Sequence, residues 1–423
     1  MRSAITALVI LAVFAGSIAA LKHSAPASKD VPVVIITTDT VRNDHIKCAS
    51  DNLENICGLS SDSVRFQKTY SPATWTLPSI SSLMTGRGRY EVNFTKTGSG
   101  YTFGQLSPYD GLSKRSLTLA EILKKNGYNT SAYYEMSTVD QSTGLSQGFQ
   151  HYTSRNETGD LQRYLRNHSL DGKNLYWFHL KGSHFPYRSS QQCSNFTDYM
   201  FNTPPVDHFS VENASQDVID EFRQCYREEV WRHDKRVGRI LDWVKGSGNY
   251  DDAVIVYAAA EGESLASHRV WNSSRLRFGH NGLPYTQVTH VPLIMKLPGV
   301  KPGEVDSSFA RFKDISPTLL QALDIKRPSR YTGVSLYRVI DGYELNNLTT
   351  TEGFMMKNFA LIRPDKSNRS MLFDLEKDPA EKNDISEAYP EITRELGYLL
   401  EKRKGDASSA DVKPVAPYAQ VTR

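Results

Sequence analysis

The sequence predicts an α/β fold in which a large, mostly parallel sheet is sandwiched by helices and a small antiparallel subdomain follows. Three observations predict it. Apolar runs such as VPVVIITTD (31–39), NLYWFHLKG (174–182) and VIVYAAAEGES (254–264) read as strands buried on both faces. These runs alternate with helical patterns, as parallel strands require. Beyond residue 330 the pattern shifts to short segments, NFALIRP (358–364) and SMLFDLEKDP (370–379), which read as antiparallel strands.

VPVVIITTD is the first strand. LTLAEILKKNGY (117–128) is a helix that stops at Asn126-Gly127, and NTSAYYE (129–135) is the next strand. DEFRQCYREEVWRHDKRVGRILDWVKGSG (220–248) is a long amphipathic helix. Tyr226, Val230, Val237, Ile240, Leu241 and Val244 form its apolar stripe, and Gly246-Ser247-Gly248 is its stop. VPLIMKLPG (291–299) and KDISPTLLQALDI (313–325) continue the alternation. The expected organisation is a leader at 1–21, an α/β domain at 30–330, a C-terminal subdomain at 331–404 and a disordered tail at 405–423.

A chain of 423 residues has ample material for such a core. Its hydrophobic content of 39%, charged content of 23% and net charge of +3 describe an ordinary globular protein. No basic run with interleaved aromatics suggests a nucleic-acid partner. Oligomeric state is not legible.

Arg2 precedes the apolar run Ala4–Leu21, which exits through small residues as a secretory signal does. The same run is nearly long enough to be an uncleaved anchor, and no other segment approaches a membrane span. Four cysteines, Cys48, Cys57, Cys193 and Cys225, allow three pairings. The sequence-local set, Cys48–Cys57 and Cys193–Cys225, is favoured because each bridge would staple one loop. Asn-X-Ser/Thr sequons at Asn93, Asn129, Asn156, Asn167, Asn195, Asn213, Asn272, Asn347 and Asn368 exceed the roughly 3 expected by chance. Together these features predict a secreted or lumenal disulfide-bonded glycoprotein.

Two stretches carry candidate chemistry. Asp39 stands at the carboxyl end of the first strand, where it could hold a cation or cap the next helix. In SPATWTLPSISSLMTGR (71–87), the hydroxyl of Thr76 precedes Pro78-Ser79 at a helix start, among free backbone N–H groups. Such an end accepts an anionic ester; a capping threonine without chemistry is the alternative.

The blocks VIITTDTVRNDHI, TWTLPSISSLMTGR, HFPY, AEGES, FGHNGLPYTQVTHVPLIMKLPG, DISPTLLQALDI with GVSL, and LFDLEKDP occur in the order found in sulfatases. From about Val31 to Asp384 the chain therefore resembles the sulfatase family of the alkaline phosphatase superfamily. The resemblance implies a metal-dependent ester hydrolase whose metal is held by Asp39 and by residues after a later strand. Thr76 falls where sulfatases carry the Cys or Ser converted to formylglycine in Cys-X-Pro-X-Arg. Here Thr76-Leu77-Pro78-Ser79-Ile80 lacks both the modifiable residue and the Arg, so no formylglycine is expected. Thr76 matches the nucleophile of relatives that act on phosphate and phosphonate esters.

The family turn Ser-Asp-His-Gly-Glu supplies two metal ligands. Here it reads Ala259-Ala260-Glu261-Gly262-Glu263, so Ala260 replaces the Asp, and Glu261 replaces the His with oxygens still on offer. His184 matches a histidine that contacts the ester's oxygens, His280 a metal-binding histidine of the phosphatase-like branch, and Lys181 adds positive charge beside His184. His233 and His268 read as surface residues. The expectation is a pseudoenzyme that keeps an anion pocket for an ester or glycan-type ligand, with a weakened site for one divalent metal (Zn, Mn or Ca) on Asp39, Glu261 and His280. The alternative is an active hydrolase or transferase of phosphate, phosphonate or sulfate esters, with Thr76 as nucleophile.

Overall fold

The computed structural model describes residues 30–405, apart from 51, 96–110, 203–209, 213, 271–272, 281, 351, 365–366 and 368. The expected leader and the expected tail beyond residue 405 lie outside the described residues. The main sheet has eight strands: β1 Val33–Thr38, β2 Val64–Tyr70, β3 Asn129–Tyr134, β4 His151–Ser154, β5 Asn174–Leu180, β6 Val254–Ala259, β7 Leu293–Lys296 and β8 Gly303–Arg311. Their spatial order is β8-β2-β7-β6-β1-β5-β3-β4. Every pairing is parallel except those of β7, which runs antiparallel to both β6 and β2.

Every residue of the central strands β1, β5 and β6 is buried. That explains their unbroken apolar runs, since helices cover both faces and leave no wet side to demand alternation. The principal helices are α1 Glu54–Ser61, α2 Thr76–Thr85, α3 Leu119–Lys125, α4 Gln216–Gly246, α5 Phe312–Ala322 and α6 Pro390–Gly405. Thr118 starts α3 with a full capping box to Glu121.

The stripe expected on α4 is buried from Phe222 and Tyr226 through Val244. Each fully buried side chain of this size contributes about 1.5–3 kcal/mol. His233 is a correction to the sequence reading. It occupies the stripe between Val230 and Val237, is 1% exposed, and its Nε2 lies 3.2 Å from the Tyr257 hydroxyl. Burial pulls its imidazole down to about 3, so it sits in the core uncharged. His268 is also no free surface residue, being partly buried and stacked on Tyr285.

The second sheet is antiparallel, formed by β9 Asn347–Thr350, β10 Gly353–Met356, β11 Phe359–Ile362 and β12 Met371–Asp374 in sequence order, with α6 packed on it. The disulfides are Cys48–Cys57 and Cys193–Cys225, the sequence-local pairs. The second ties α4 to the helix Gln191–Asn202. Of the sequon asparagines, Asn93, Asn129, Asn156, Asn167 and Asn195 are exposed and Asn347 is half-buried; Asn213, Asn272 and Asn368 lie outside the described residues. No helix among the described residues is long and apolar enough to cross a membrane.

The C-terminal part is latched to the main domain by Glu381. Its buried carboxylate accepts from the Thr286 N–H at 2.6 Å and the Thr286 hydroxyl at 2.8 Å. Burial pushes its pKa up from 4.5 to about 7 against those bonds. A folded-state pKa above the unfolded value gives stability that is complete below the unfolded pKa and lost as pH rises through 7. Glu381→Gln keeps an acceptor and removes the titration. The variant is expected to match wild type near pH 4.5 and to exceed it by on the order of 3 kcal/mol at pH 8.5. Urea unfolding at the two pH values checks this.

Candidate functional site

The carboxyl ends of β1, β5 and β6 converge on one buried corner, where ligands of open α/β sheets bind. The ladder aligns Thr38 with Leu180 on one side and with Ala259 on the other. Asp39 and Ala260 each follow directly on the aligned pair Thr38–Ala259, and the Ala260 N–H reaches Thr38 O at 2.7 Å. This register fixes Ala260, and not Glu261, as the residue level with Asp39.

The backbone around Asp39 is held in unusual conformations. Thr40 has φ of 57°, a left-handed value costly for a β-branched residue. Its carbonyl accepts from Tyr226 Oη at 2.7 Å and Ser183 Oγ at 2.9 Å, which pin the turn. Gly182 has φ of 65°, and a Cβ there would collide with Asp39 O and Thr38 Oγ1. Only glycine lets the loop after β5 pass so close.

Thr76 is the first residue of α2. Trp75 precedes it in extended conformation, and no side chain caps this end. The first-turn N–H groups of α2 are thus left to other acceptors, and the helix dipole adds positive potential there. Thr76 Oγ1 donates to Asp39 Oδ1 at 3.2 Å, the adjacency the order of the blocks implied.

His179 is a site residue that sequence reasoning missed. Its Nε2 lies 3.1 Å from the same Asp39 Oδ1, and its Nδ1 lies 2.8 Å from Thr37 Oγ1, which also accepts from Trp177 Nε1 at 2.8 Å. A buried line of polar groups therefore runs from the core at Trp177 to Thr76. The available signal was a histidine near the end of a wholly apolar strand.

Glu263 was the second omission. Its Oε1 lies 3.4 Å from His280 Nδ1, and the Arg42 guanidinium bonds its backbone carbonyl at 3.2 Å. The His280 ring meets that of His184 edge-on, with centroids 5.1 Å apart, so these two histidines share one wall. His184 Nδ1 is bonded to the carbonyl of Phe185, and burial, then the neighbouring His280, brings its pKa down to about 4. Lys181 Nζ donates to the carbonyl of Pro186 at 2.6 Å, which ties its charge to its own loop.

The electrostatics of the corner are dominated by buried carboxylates. Asp39, Glu261 and Glu263 are fully buried. Among the described residues, Asp39 Oδ2, both oxygens of Glu261 and Glu263 Oε2 have no side-chain hydrogen-bond partner. Burial pushes Glu261 well above the usual carboxylate range, and the charges of Asp39 and Glu263 add to it. Burial works the same way on Asp39, but His179, with smaller help from His184 and His280, outweighs it and lowers its pKa. The two carboxyls are thus pushed in opposite directions, Asp39 down and Glu261 up.

The orphaned oxygens of Asp39 and Glu261 have the chemistry of a hard cation's ligands. The rest of the donor set does not complete a cage. Ala260 offers nothing, His280 Nδ1 faces Glu263, and Asp39 Oδ1 already serves Thr76 and His179. Among the described residues no three His, Cys, Asp or Glu side chains are grouped so as to hold a metal ion. Zinc needs about three protein ligands and calcium more oxygens, so the residues present do not fit a resident divalent metal.

A mostly parallel eight-stranded sheet covered by helices, beside a small antiparallel sheet, is the arrangement of the sulfatase fold. The sulfatase family model matches residues 32–325, and the chain belongs to that family. Among curated relatives, it is 22% identical over 330 residues to an endo-4-O-sulfatase of Bacteroides thetaiotaomicron, covering 66% of this chain and 63% of that protein. It is 24% identical over 224 residues to human arylsulfatase K, covering 46% and 40%. The matches thus span less than two thirds of these relatives' lengths.

Among solved structures, one in complex with its substrate D-glucosamine-2-N,6-O-disulfate superposes with a TM-score of 0.67 at 18% identity, over 91% of this chain and 100% of that one. The phosphonate monoester hydrolase of Agrobacterium radiobacter gives 0.67 at 15%, over 89% and 96%. At such identities the superpositions establish the fold.

Proposed function

We propose that this is a secretory-pathway glycoprotein of the sulfatase family in which ester hydrolysis is impaired or lost, and whose pocket receives an anionic ester or glycan-type ligand. The observation that carries this reading is Ala260, a side chain with no donor atom, standing level with Asp39.

A threonine hydroxyl attacks only if something takes or weakens its proton. A divalent metal supplies that by lowering the pKa of a bound oxygen by many units. Here Thr76 donates to Asp39, and a carboxylate of lowered pKa is a feeble base for an alcohol. The loss of metal assistance amounts to several kcal/mol, or about 10³-fold or more in rate. What supports ligand binding is the uncapped start of α2 and the wall of His184 and His280; the Asp39 charge opposes it. The exposed sequons, the two disulfides and the N-terminal run Ala4–Leu21 support the secretory assignment.

The experiment is an assay of purified protein on aryl sulfate, phosphate diester and phosphonate monoester substrates, with and without added zinc, manganese or calcium. Turnover is expected at background and unchanged by Thr76→Ala. Metal-dependent turnover abolished by Thr76→Ala would favour the other reading, a working hydrolase with Thr76 as nucleophile. The Thr76–Asp39 hydrogen bond is the observation on that reading's side.

A further inference from the structure

A cavity lies away from this corner. It has a volume of about 50 Å³, is partly open to solvent, and is lined by the end of α2 with residues 88–91, the first residues of α5, the strand β9 and Arg403 of α6. None of Asp39, Thr76, His184, Glu261, Glu263 or His280 lines it. One buried water takes roughly 10–15 Å³ measured this way, so the space holds a few waters or one tetrahedral group.

Its lining is strongly cationic. Arg89, Arg311, Lys313 and Arg403 face it, against Glu91 as the one carboxylate. Arg311 is neutralised by Asp314, through bonds of 2.7 and 3.1 Å. Lys313 is matched more loosely, by Glu91, whose carboxyl its charge helps to hold below the usual range. Its side chain is 14% exposed, and its ammonium lies 3.9 Å from Glu91 Oε1, beyond hydrogen-bond distance. The other Glu91 oxygen is occupied by the Gly88 N–H at 2.6 Å and by the Thr332 hydroxyl. Burial first, then the Arg311 charge and more weakly that of Arg403, push the Lys313 pKa down against the opposing charges of Glu91 and Asp314. A lysine desolvated beside two arginines is stabilised by an anion. Arg311, Phe312 and Lys313 are also where α5 begins, so the positive end of that helix meets the same space.

We propose that this cavity binds one tetrahedral oxyanion, sulfate or phosphate, centred on Lys313 at the junction of the main sheet and the C-terminal subdomain. The ion would arrive free or as the ester group of a sugar chain whose ring stays outside. Bound there, it bridges α5 to α6 and stabilises the seating of the C-terminal part.

The test is the melting temperature and binding calorimetry of the full glycoprotein. Inorganic sulfate and inorganic phosphate are titrated at low millimolar concentration against sodium chloride of matched ionic strength. The proposal expects one ion per chain and a rise of about 1–2 °C at tenfold excess over Kd. The rise should persist in Thr76→Ala, vanish in Lys313→Met and survive in Lys313→Arg. Arg403→Gln, on a partly exposed helix, should weaken binding about tenfold. Equal, Lys313-dependent shifts with glucosamine 6-sulfate would identify the ester group as a source, and a response to the inorganic ions alone would identify the free ion. A Lys313→Met protein that responds as wild type does, or a response abolished by Thr76→Ala, overturns the proposal. The first denies the cavity and the second moves the ion to the corner at Asp39.

Discussion

Ala260→Asp combined with Glu261→His is expected to turn this chain into a metal-binding protein. The register puts Ala260 level with Asp39 at the end of β6, so an introduced carboxylate enters the corner without any backbone change. The histidine removes the surplus buried acid and supplies a nitrogen donor. With Asp39 and Thr76 these side chains make a four-donor set. Zinc or manganese at about a hundred times its Kd should then stabilise the double variant by about 2.7 kcal/mol, against no effect on wild type. In chelator the sign reverses. In the metal-free variant the introduced carboxylate stands level with Asp39, like charge against like, and the protein should unfold below wild type. Thermal melts with metal and with chelator check both arms. If the variant gains hydrolysis of phosphate or phosphonate esters, the gain should disappear with Thr76→Ala.

His179→Leu is expected to produce the largest loss of stability of any single change at the corner. Asp39 is fully buried and carries charge chiefly because His179 is 3.1 Å away. Leucine leaves that carboxylate, and the Thr37 hydroxyl behind it, without the partner. Breaking a buried pair from one side costs about 3–5 kcal/mol. Adding Asp39→Asn should recover part of the loss, because the stranded charge goes with it. Chemical denaturation of the two variants measures the coupling. A loss under about 1 kcal/mol would mean that His179 is packing and not a counter-group.

The fold was legible wherever burial alone dictates sequence. β1, β5 and β6 are buried from end to end and announced themselves as apolar runs, and α4 showed its stripe. The antiparallel course of β7 was not legible, because a short buried strand reads the same in either direction. At the site, Asp39, Thr76 and Ala260 were located by their places in ordered blocks. His179 and Glu263 were not singled out because their roles arise from distance in space. His179 meets Asp39 across 140 residues of chain, in a strand whose other positions all speak of core. Glu263 drew no role in the turn, and its acquaintance with His280 is a tertiary fact. His233 failed for the same reason, a polar residue drawn into a stripe by the helix that carries it.

Metal content per mole of chain, measured on protein purified without chelator, tests the central claim most directly. The account predicts zinc, manganese and calcium each well below one equivalent, with no change in melting temperature on adding chelator. One tightly held divalent ion per chain, lost together with ester hydrolysis in Glu261→Ala, would contradict it and make the Ala260-Glu261 corner a working variant of the family's metal site.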